Sequence, residues 1–273
     1  MRERLVIRLA TTRLSRVSVH AARLCMMPAT PAWPPASTPR LYIDQPLEAA
    51  AEIPVSGGPA HYLADVMRLK VGDPVRLFDD ISGEWLAQVS HIGKRDMLLA
   101  IKTKLAPREQ VPDLWLLMAP IKKGRIDWLV EKACELGVDR IVPVITQRTI
   151  VDKINRDRLR AHMIEAAEQC GRTALPVLED SIKLERLLKD WPAGRKLIFA
   201  DETGGAPLAS IARAEPAAIL TGPEGGFTDG ERTALKALPS AQAITLGSRI
   251  LRADTAAVAA ISVWMAVTEE GSK

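Results

Sequence analysis

Cysteine is scarce in this chain. Its 273 residues hold three, Cys25, Cys134 and Cys170, with no CxxC pair among them. That excludes a disulfide framework and argues against a zinc site, so a metal-free protein of the reducing cytoplasm is expected. Although 47% of the residues are apolar, no apolar run reaches membrane-spanning length, which predicts a soluble chain with no membrane association. Phosphate-binding signatures are missing too. No GxxxxGK[ST] loop occurs and no GxGxxG follows a strand, so the ligand is not expected to be a polyphosphate or a dinucleotide.

Acidic residues are nearly missing from the first forty positions, which carry seven Arg, no Lys and one Glu. Their net charge of +6 exceeds the +4 of the whole chain, leaving residues 41 to 273 near −2. Any nucleic-acid binding must therefore rest on local basic patches rather than on an overall field. Pro28, Pro31, Pro34, Pro35 and Pro39 crowd the end of this stretch, and proline at that density predicts a disordered extension over residues 1 to 39. A transit peptide, a nucleic-acid-binding arm and an upstream start ahead of Met26 or Met27 are the three explanations. The scattered arginines break any signal-peptide core, and an idle extension or misplaced start is favoured.

Two glycine-centred loops near the C-terminus are the most informative segments present: LTGPEGGF, from Leu220 to Phe227, and LGSRILRADTAA, from Leu246 to Ala257. Each follows a short apolar run, Ala217 to Leu220 or Ala243 to Leu246, and each precedes a helical pattern. Thr228 with Glu231 reads as a capping box, and Asp254 reads as the N-cap of an alanine-rich helix from Thr255 to Val267. Two such joints place bare backbone groups at the C-terminal edge of a parallel sheet, a geometry suited to a nucleoside. Glycines that only make turns need no acid at Glu224, and no arginines at Arg249 and Arg252 flanking Ile250 and Leu251.

Residues 40 to 106 alternate in short β-like pieces, Leu41 to Ile43, Val75 to Phe78, Trp85 to His91 and Met97 to Lys104, with a short helix from His61 to Leu69. A small β-barrel is the expected closure. Residues 107 to 112 read as a linker. From 113 to 273 strand and helix alternate: a strand at Leu114 to Ala119, a helix at Arg125 to Leu136, a strand at Arg140 to Ile145, a helix begun by Asn155 or Asp157, and a strand at Lys196 to Ala200. The second domain is therefore α/β with a mainly parallel sheet.

The segments GPEGGFTDGE and LGSRILRADTAA, preceded by KKGRIDWLVEKACELGVDRIVP and EAAEQCGR, resemble the 16S rRNA (uracil-N3)-methyltransferases of the SPOUT superfamily, over Arg40 to Val267. That resemblance implies a PUA-like RNA-binding domain, a SPOUT domain with a C-terminal trefoil knot, a homodimer, and small-ribosomal-subunit 16S rRNA as substrate. It also implies S-adenosylmethionine held by the knot loops at Leu220, Thr221, Gly222, Gly225, Leu246, Gly247, Ile250 and Leu251. His61, Arg68 and Lys70 match the family's RNA-binding segment, with Tyr62 a possible stacking partner. Lys122, Lys123 and Arg125, at the end of a strand, and Arg172, just past a helix, are further RNA candidates.

Methylation at N3 needs no thiolate. Cys134 and Cys170 have neither a neighbouring His nor a helix N-terminus, and both read as buried. Arg252, supported by Arg249, is the expected stabiliser of the uracil anion, and Glu224 shapes the loop or assists proton removal. Asp254-Thr255-Ala256 stands where the family has Glu-Thr-Ala, one carbon shorter. A SPOUT ribose 2′-O-methyltransferase and a non-catalytic rRNA-binding assembly factor are the alternatives.

Overall fold

Period-two alternation dominates the first unit of the computed structural model, which describes residues 38–151 and 153–270. The expectations for residues 1 to 37, Cys25 included, lie outside these. Thr38 is buried and the Pro39 carbonyl accepts from Arg76 N–H at 2.9 Å, so the first unit begins slightly before position 40.

Five strands form this unit's sheet: β1 (Arg40–Tyr42), β2 (Glu52–Ser56), β3 (Pro74–Phe78), β4 (Glu84–Ile92) and β5 (Asp96–Ala106). Their order is β1-β3-β4-β5-β2, with β1 parallel to β3 and the other pairs antiparallel. Leu41, Ile53, Val55, Val75, Leu77 and Leu99 share one core, so the sheet curls round its own apolar face. Its hydrogen-bonded path nonetheless stays open between β1 and β2. The sequence pattern did not reveal β2, because Pro54 interrupts it; an edge position tolerates that proline. The expected helix at His61 to Leu69 is displaced. It starts as α1 (Gly58–His61), continues as a π-helical turn (Tyr62–Val66) and stops at Arg68, whose φ is 56°.

The second unit begins with β6 (Leu114–Met118), α2 (Arg125–Glu135), β7 (Arg140–Ile145) and α3 (Arg156–Cys170). The side chain of Asn155 accepts from Arg158 N–H at 2.9 Å and starts α3, while Gly171, at φ 86°, ends it. Short pieces follow: β8 (Val177–Leu178), β9 (Ile182–Lys183) and α4 (Leu184–Lys189). Then come β10 (Lys196–Ala200), β11 (Ala206–Pro207), α5 (Leu208–Ile211), β12 (Ala217–Thr221), α6 (Asp229–Ala237), β13 (Ala241–Thr245) and α7 (Ala253–Glu270).

Every pairing in this sheet is parallel, in the order β11-β13-β10-β12-β6-β7-β8, with β9 also on β7. All five residues of β12 are buried. Ala217 and Ile219 face one core with Leu114 and Leu116, and Ala218 and Leu220 face the other with Leu117 and Phe199. Continuous apolar runs are what a strand covered on both faces requires. Because β12 and β13 flank β10, three chain exits converge at one sheet edge.

Arg40 ties the two units together. Its buried guanidinium donates to the carbonyls of Ala167 at 2.5 Å and Arg172 at 3.1 Å, pairs with Glu84 at 2.6 Å and lies 4.4 Å over the Phe78 ring. A cation at the C-terminus of α3 also meets the negative end of its dipole. The stretch from 107 to 112 is no free tether, since the Glu109 carboxylate accepts from Thr173 N–H at 2.9 Å and Ala174 N–H at 3.0 Å. Arg40→Met should therefore destabilise the protein by about 3 kcal/mol, because it strands Glu84 and the carbonyls ending α3. A urea titration followed by circular dichroism measures this, and an unchanged midpoint would remove Arg40 as the tie.

Candidate active site

Leaving β12, the first loop must reverse tightly and keep its backbone bare. Gly222 lacks a side chain because Phe227 folds beneath it: a Cβ there would sit 3.2 Å from the ring. Phe227 is buried and packs edge-on against Phe199, 6.4 Å between centroids. Gly226 has φ +67° and donates to the Pro223 carbonyl at 2.9 Å, closing the turn. The loop then enters α6 through the expected capping box. Thr228 N–H donates to Glu231 Oε2 at 2.8 Å, and Glu231 N–H donates to Thr228 Oγ at 3.3 Å.

The second loop leaves β13 through Gly247, φ +111°, and enters α7. Its helix start differs from the expected one. Ala256 N–H donates to the Arg252 carbonyl at 2.7 Å, which makes Arg252 the residue at the cap and puts Asp254 inside the first turn. There the carboxylate still complements the helix dipole.

The end of β10 forms the third wall. Asp201 has a fully buried carboxylate that accepts from Thr203 N–H at 3.0 Å and Arg232 Nε at 3.1 Å, with Lys236 Nζ 3.3 Å away. Burial opposes its ionisation, but the Thr203, Lys236 and Arg232 donors outweigh that and hold its carboxyl below the ordinary 3.8. Arg232 also pairs with Glu202 and, at 3.2 Å, with Asp229. Glu202 in turn occupies the space a Cβ on Gly226 would need, 2.5 Å from it.

These three exits enclose a cavity of about 440 Å³. Thr221, Gly222, Glu224 and Gly225 line it from the first loop. Leu246, Gly247, Arg249, Ile250, Leu251 and Arg252 line it from the second. Leu220 does not; its side chain is buried in the core beside Phe199. Arg125, at the start of α2, lies 3.7 Å from Glu224, which brings the Lys122 to Arg125 segment to the same edge, with Lys122 and Lys123 exposed. His61, Arg68 and Lys70 are exposed on the first unit and do not line the cavity; His61 pairs with Asp65 at 2.6 Å.

Arg172 is not an RNA contact. It is buried, and its guanidinium donates to the carbonyls of Cys134 and Val138, both at 2.6 Å. Its position just past a helix suggested exposure, but the chain turns inward there. Cys134 is buried as expected, and burial pushes its thiol up to about 12; Cys170, by contrast, is exposed. Trp264, in the last helix, is a core residue.

Asp201, Glu202, Arg232 and Arg148 escaped the sequence reading. Asp201 and Glu202 carried a usable signal, because acids followed by Gly204-Gly205 after an apolar strand repeat the pattern of the other two loops. Arg148 carried none, and neither did the pairing of Arg232 with Asp201 and Glu202, since these partners lie far along the chain.

A family model described as an RNA methyltransferase domain matches residues 107–265, and one described as an RNA methyltransferase PUA domain matches residues 56–102. The ribosomal RNA small subunit methyltransferase E of Rickettsia conorii is 34% identical over 229 residues, covering 82% of this chain and 93% of that protein. The crystal structure of the Neisseria gonorrhoeae protein of that name, bound to S-adenosyl methionine, superposes with a TM-score of 0.77 at 27% identity, over 85% of this chain and 98% of the other. A Legionella pneumophila putative methyltransferase with bound cofactor SAM also gives 0.77, at 28% identity and 85% and 98% coverage.

Asp201→Asn provides a pH test of the inner wall. A carboxylate held below 3.8 in the folded protein contributes stability that is complete above that value and is lost as pH falls through the lower folded one. The variant should be less stable by about 3 kcal/mol at pH 7, and the difference from the parent should shrink below about pH 4. Urea midpoints measured from pH 7 to pH 3 check both parts.

Proposed function

Because the chain belongs to the ribosomal RNA small subunit methyltransferase E family, we propose that it transfers a methyl group from S-adenosylmethionine to N3 of a uridine in 16S rRNA. The observation that carries this is the meeting of two glycine loops round the end of β10, with Glu224, Arg249 and Arg252 at one cavity. Bare backbone at Thr221, Gly222 and Gly247 suits the polar edges of a nucleoside, and Leu246, Ile250 and Leu251 suit its faces. S-adenosylmethionine supplies an electrophilic methyl on a sulfonium.

The chain's own residues have three tasks: to hold the uracil in line with that methyl, to accommodate loss of the imide proton, and to stabilise the N3 anion. Arg252, placed at the cap of α7, and Arg249 supply the positive charge. Glu224, paired with Arg125, shapes the first loop or takes the imide proton. No thiolate is called on, which suits a Cys134 whose thiol is pushed up to about 12.

The division into a PUA-like unit over 40–106 and a SPOUT unit over 113–273 is supported by two separate sheets. The knotted threading inherited from the resemblance is supported by β12 and β13 flanking β10 while α7 packs back against α2, β6 and β12. A cytoplasmic homodimer belongs to the same proposal. Among the described residues no helix is long and apolar enough to cross a membrane, and Ile150 and Ile250 are 82% and 87% exposed, apolar surface that a second copy could cover.

Labelled S-adenosylmethionine supplied with free 16S rRNA or with assembled small subunits, followed by digestion, should give N3-methyluridine. A 2′-O-methylated nucleoside would establish the ribose reading, and no transfer to either substrate the assembly-factor reading. Arg252→Ala should lower kcat by about 10² to 10³ and leave cofactor Kd within a few-fold. Equal losses in both would make Arg252 a cofactor residue instead.

A further inference from the structure

We propose that Arg148 couples substrate RNA to the first loop: one edge of its guanidinium latches the loop and the other takes an RNA phosphate, so that RNA binding tightens cofactor binding. This rests on the functional reading above.

Arg148 sits in the turn that follows β7, closed by Thr149 N–H donating to the Thr146 carbonyl at 3.2 Å. Its Nη1 donates to the Gly225 carbonyl at 2.7 Å and, more weakly, to that of Phe227 at 3.4 Å. Its aliphatic stem lies along Gly225: a Cβ built there would be 3.3 Å from Arg148 Cβ and 3.4 Å from Cδ. The side chain therefore covers the outer face of a loop whose inner face lines the cavity.

Arg232, Arg195 and Arg158 each pair with a carboxylate within 3.1 Å, whereas no carboxylate pairs with Arg148 among the described residues. Its Nε and Nη2 make no hydrogen bond there, and the residue is exposed. A guanidinium with one edge fixed on backbone carbonyls presents its remaining donors in a set direction, which is the geometry that recognises a phosphodiester. Lys122, Lys123 and Arg125 extend the same positive edge, with Arg125 beside Glu224 of the same loop. A phosphate that immobilises Arg148 also immobilises Gly225. The RNA and cofactor sites then share one free energy of coupling, which acts equally in both directions.

The test measures S-adenosylmethionine binding by equilibrium dialysis, with and without 16S rRNA, and RNA binding across a salt series. In the parent protein RNA should tighten cofactor binding by about fivefold or more. Arg148→Ala should weaken RNA binding, reduce the salt slope by about one ion and abolish the tightening. Arg148→Lys should restore the salt slope but not the tightening, because an ammonium lacks the fork that spans both partners. Gly225→Ala, which displaces the stem while keeping the charge, should also lose the tightening and keep the slope. An Arg148→Ala protein with unchanged RNA affinity, or with the tightening intact, overturns the inference. If the parent protein binds no S-adenosylmethionine, the functional reading itself fails, and the two failures are distinct.

Discussion

One buried carboxylate ties the end of the first loop to a neighbouring strand exit. Glu231 accepts from Thr228 N–H and Thr228 Oγ with Oε2, while its Oε1 accepts from Gln147 N–H at 2.8 Å, in the turn after β7. A capping box normally satisfies only its own helix. Here it also binds a neighbouring strand exit, so the start of α6, the loop from Gly222 to Phe227 and the turn carrying Arg148 form one body. The loop can then leave its glycine backbone facing a ligand without collapsing, because its shape is set by groups outside the cavity. Rigid support from residues that never touch the ligand is what a site dependent on positioning requires.

The same logic governs the wall beside β10. Glycine removes side chains from the inner surfaces, and charged groups behind them replace the lost rigidity. Lacking a Cβ, Gly226 can adopt φ +67° and leave room for the Glu202 carboxylate, and Glu202 is held by Arg232, which is anchored on the buried Asp201. At Gly205 the constraint is backbone against backbone, since a Cβ would lie 2.5 Å from the Ala243 carbonyl. Strand order places these supports together. With β12 and β13 on either side of β10, the loops that leave them meet over the end of β10, and a cavity results at a single edge.

What could be read from the sequence was local. The strand at Lys196–Ala200 matched residue for residue, the Thr228 capping box and the Asn155 cap formed as their side chains dictate, and ten of the expected loop residues meet at the cavity. Non-local partners defeated the same method. Arg172 read as an RNA candidate and Arg40 carried no local signal; only the packing of the end of α3 shows that their charges end on buried carbonyls. Pro54 hid β2 because propensity cannot tell an edge strand from a turn. Asp254 was displaced from the cap of α7 because the helix begins two residues earlier than alanine content suggests, which moved Arg252 into that place.

That displacement bears on how a chain with a near-neutral body can handle RNA. Beyond residue 40 the net charge is about −2, so arginines cannot act through their number. Most of those in the interior are committed: Arg195 holds both Asp113 oxygens at 2.6 and 2.7 Å and stacks 3.8 Å over Trp115, and Arg232 serves three carboxylates. Arg249 and Arg252 line the cavity, and no carboxylate pairs with either among the described residues; Arg148 shares that lack behind the first loop. Under the proposed function, these cations without carboxylate partners at one edge are the ones that meet an external anion. The polarity of the site then follows from which charges are already satisfied rather than from how many there are. A phosphate or a developing uracil anion can meet positive charge there without displacing an internal ion pair.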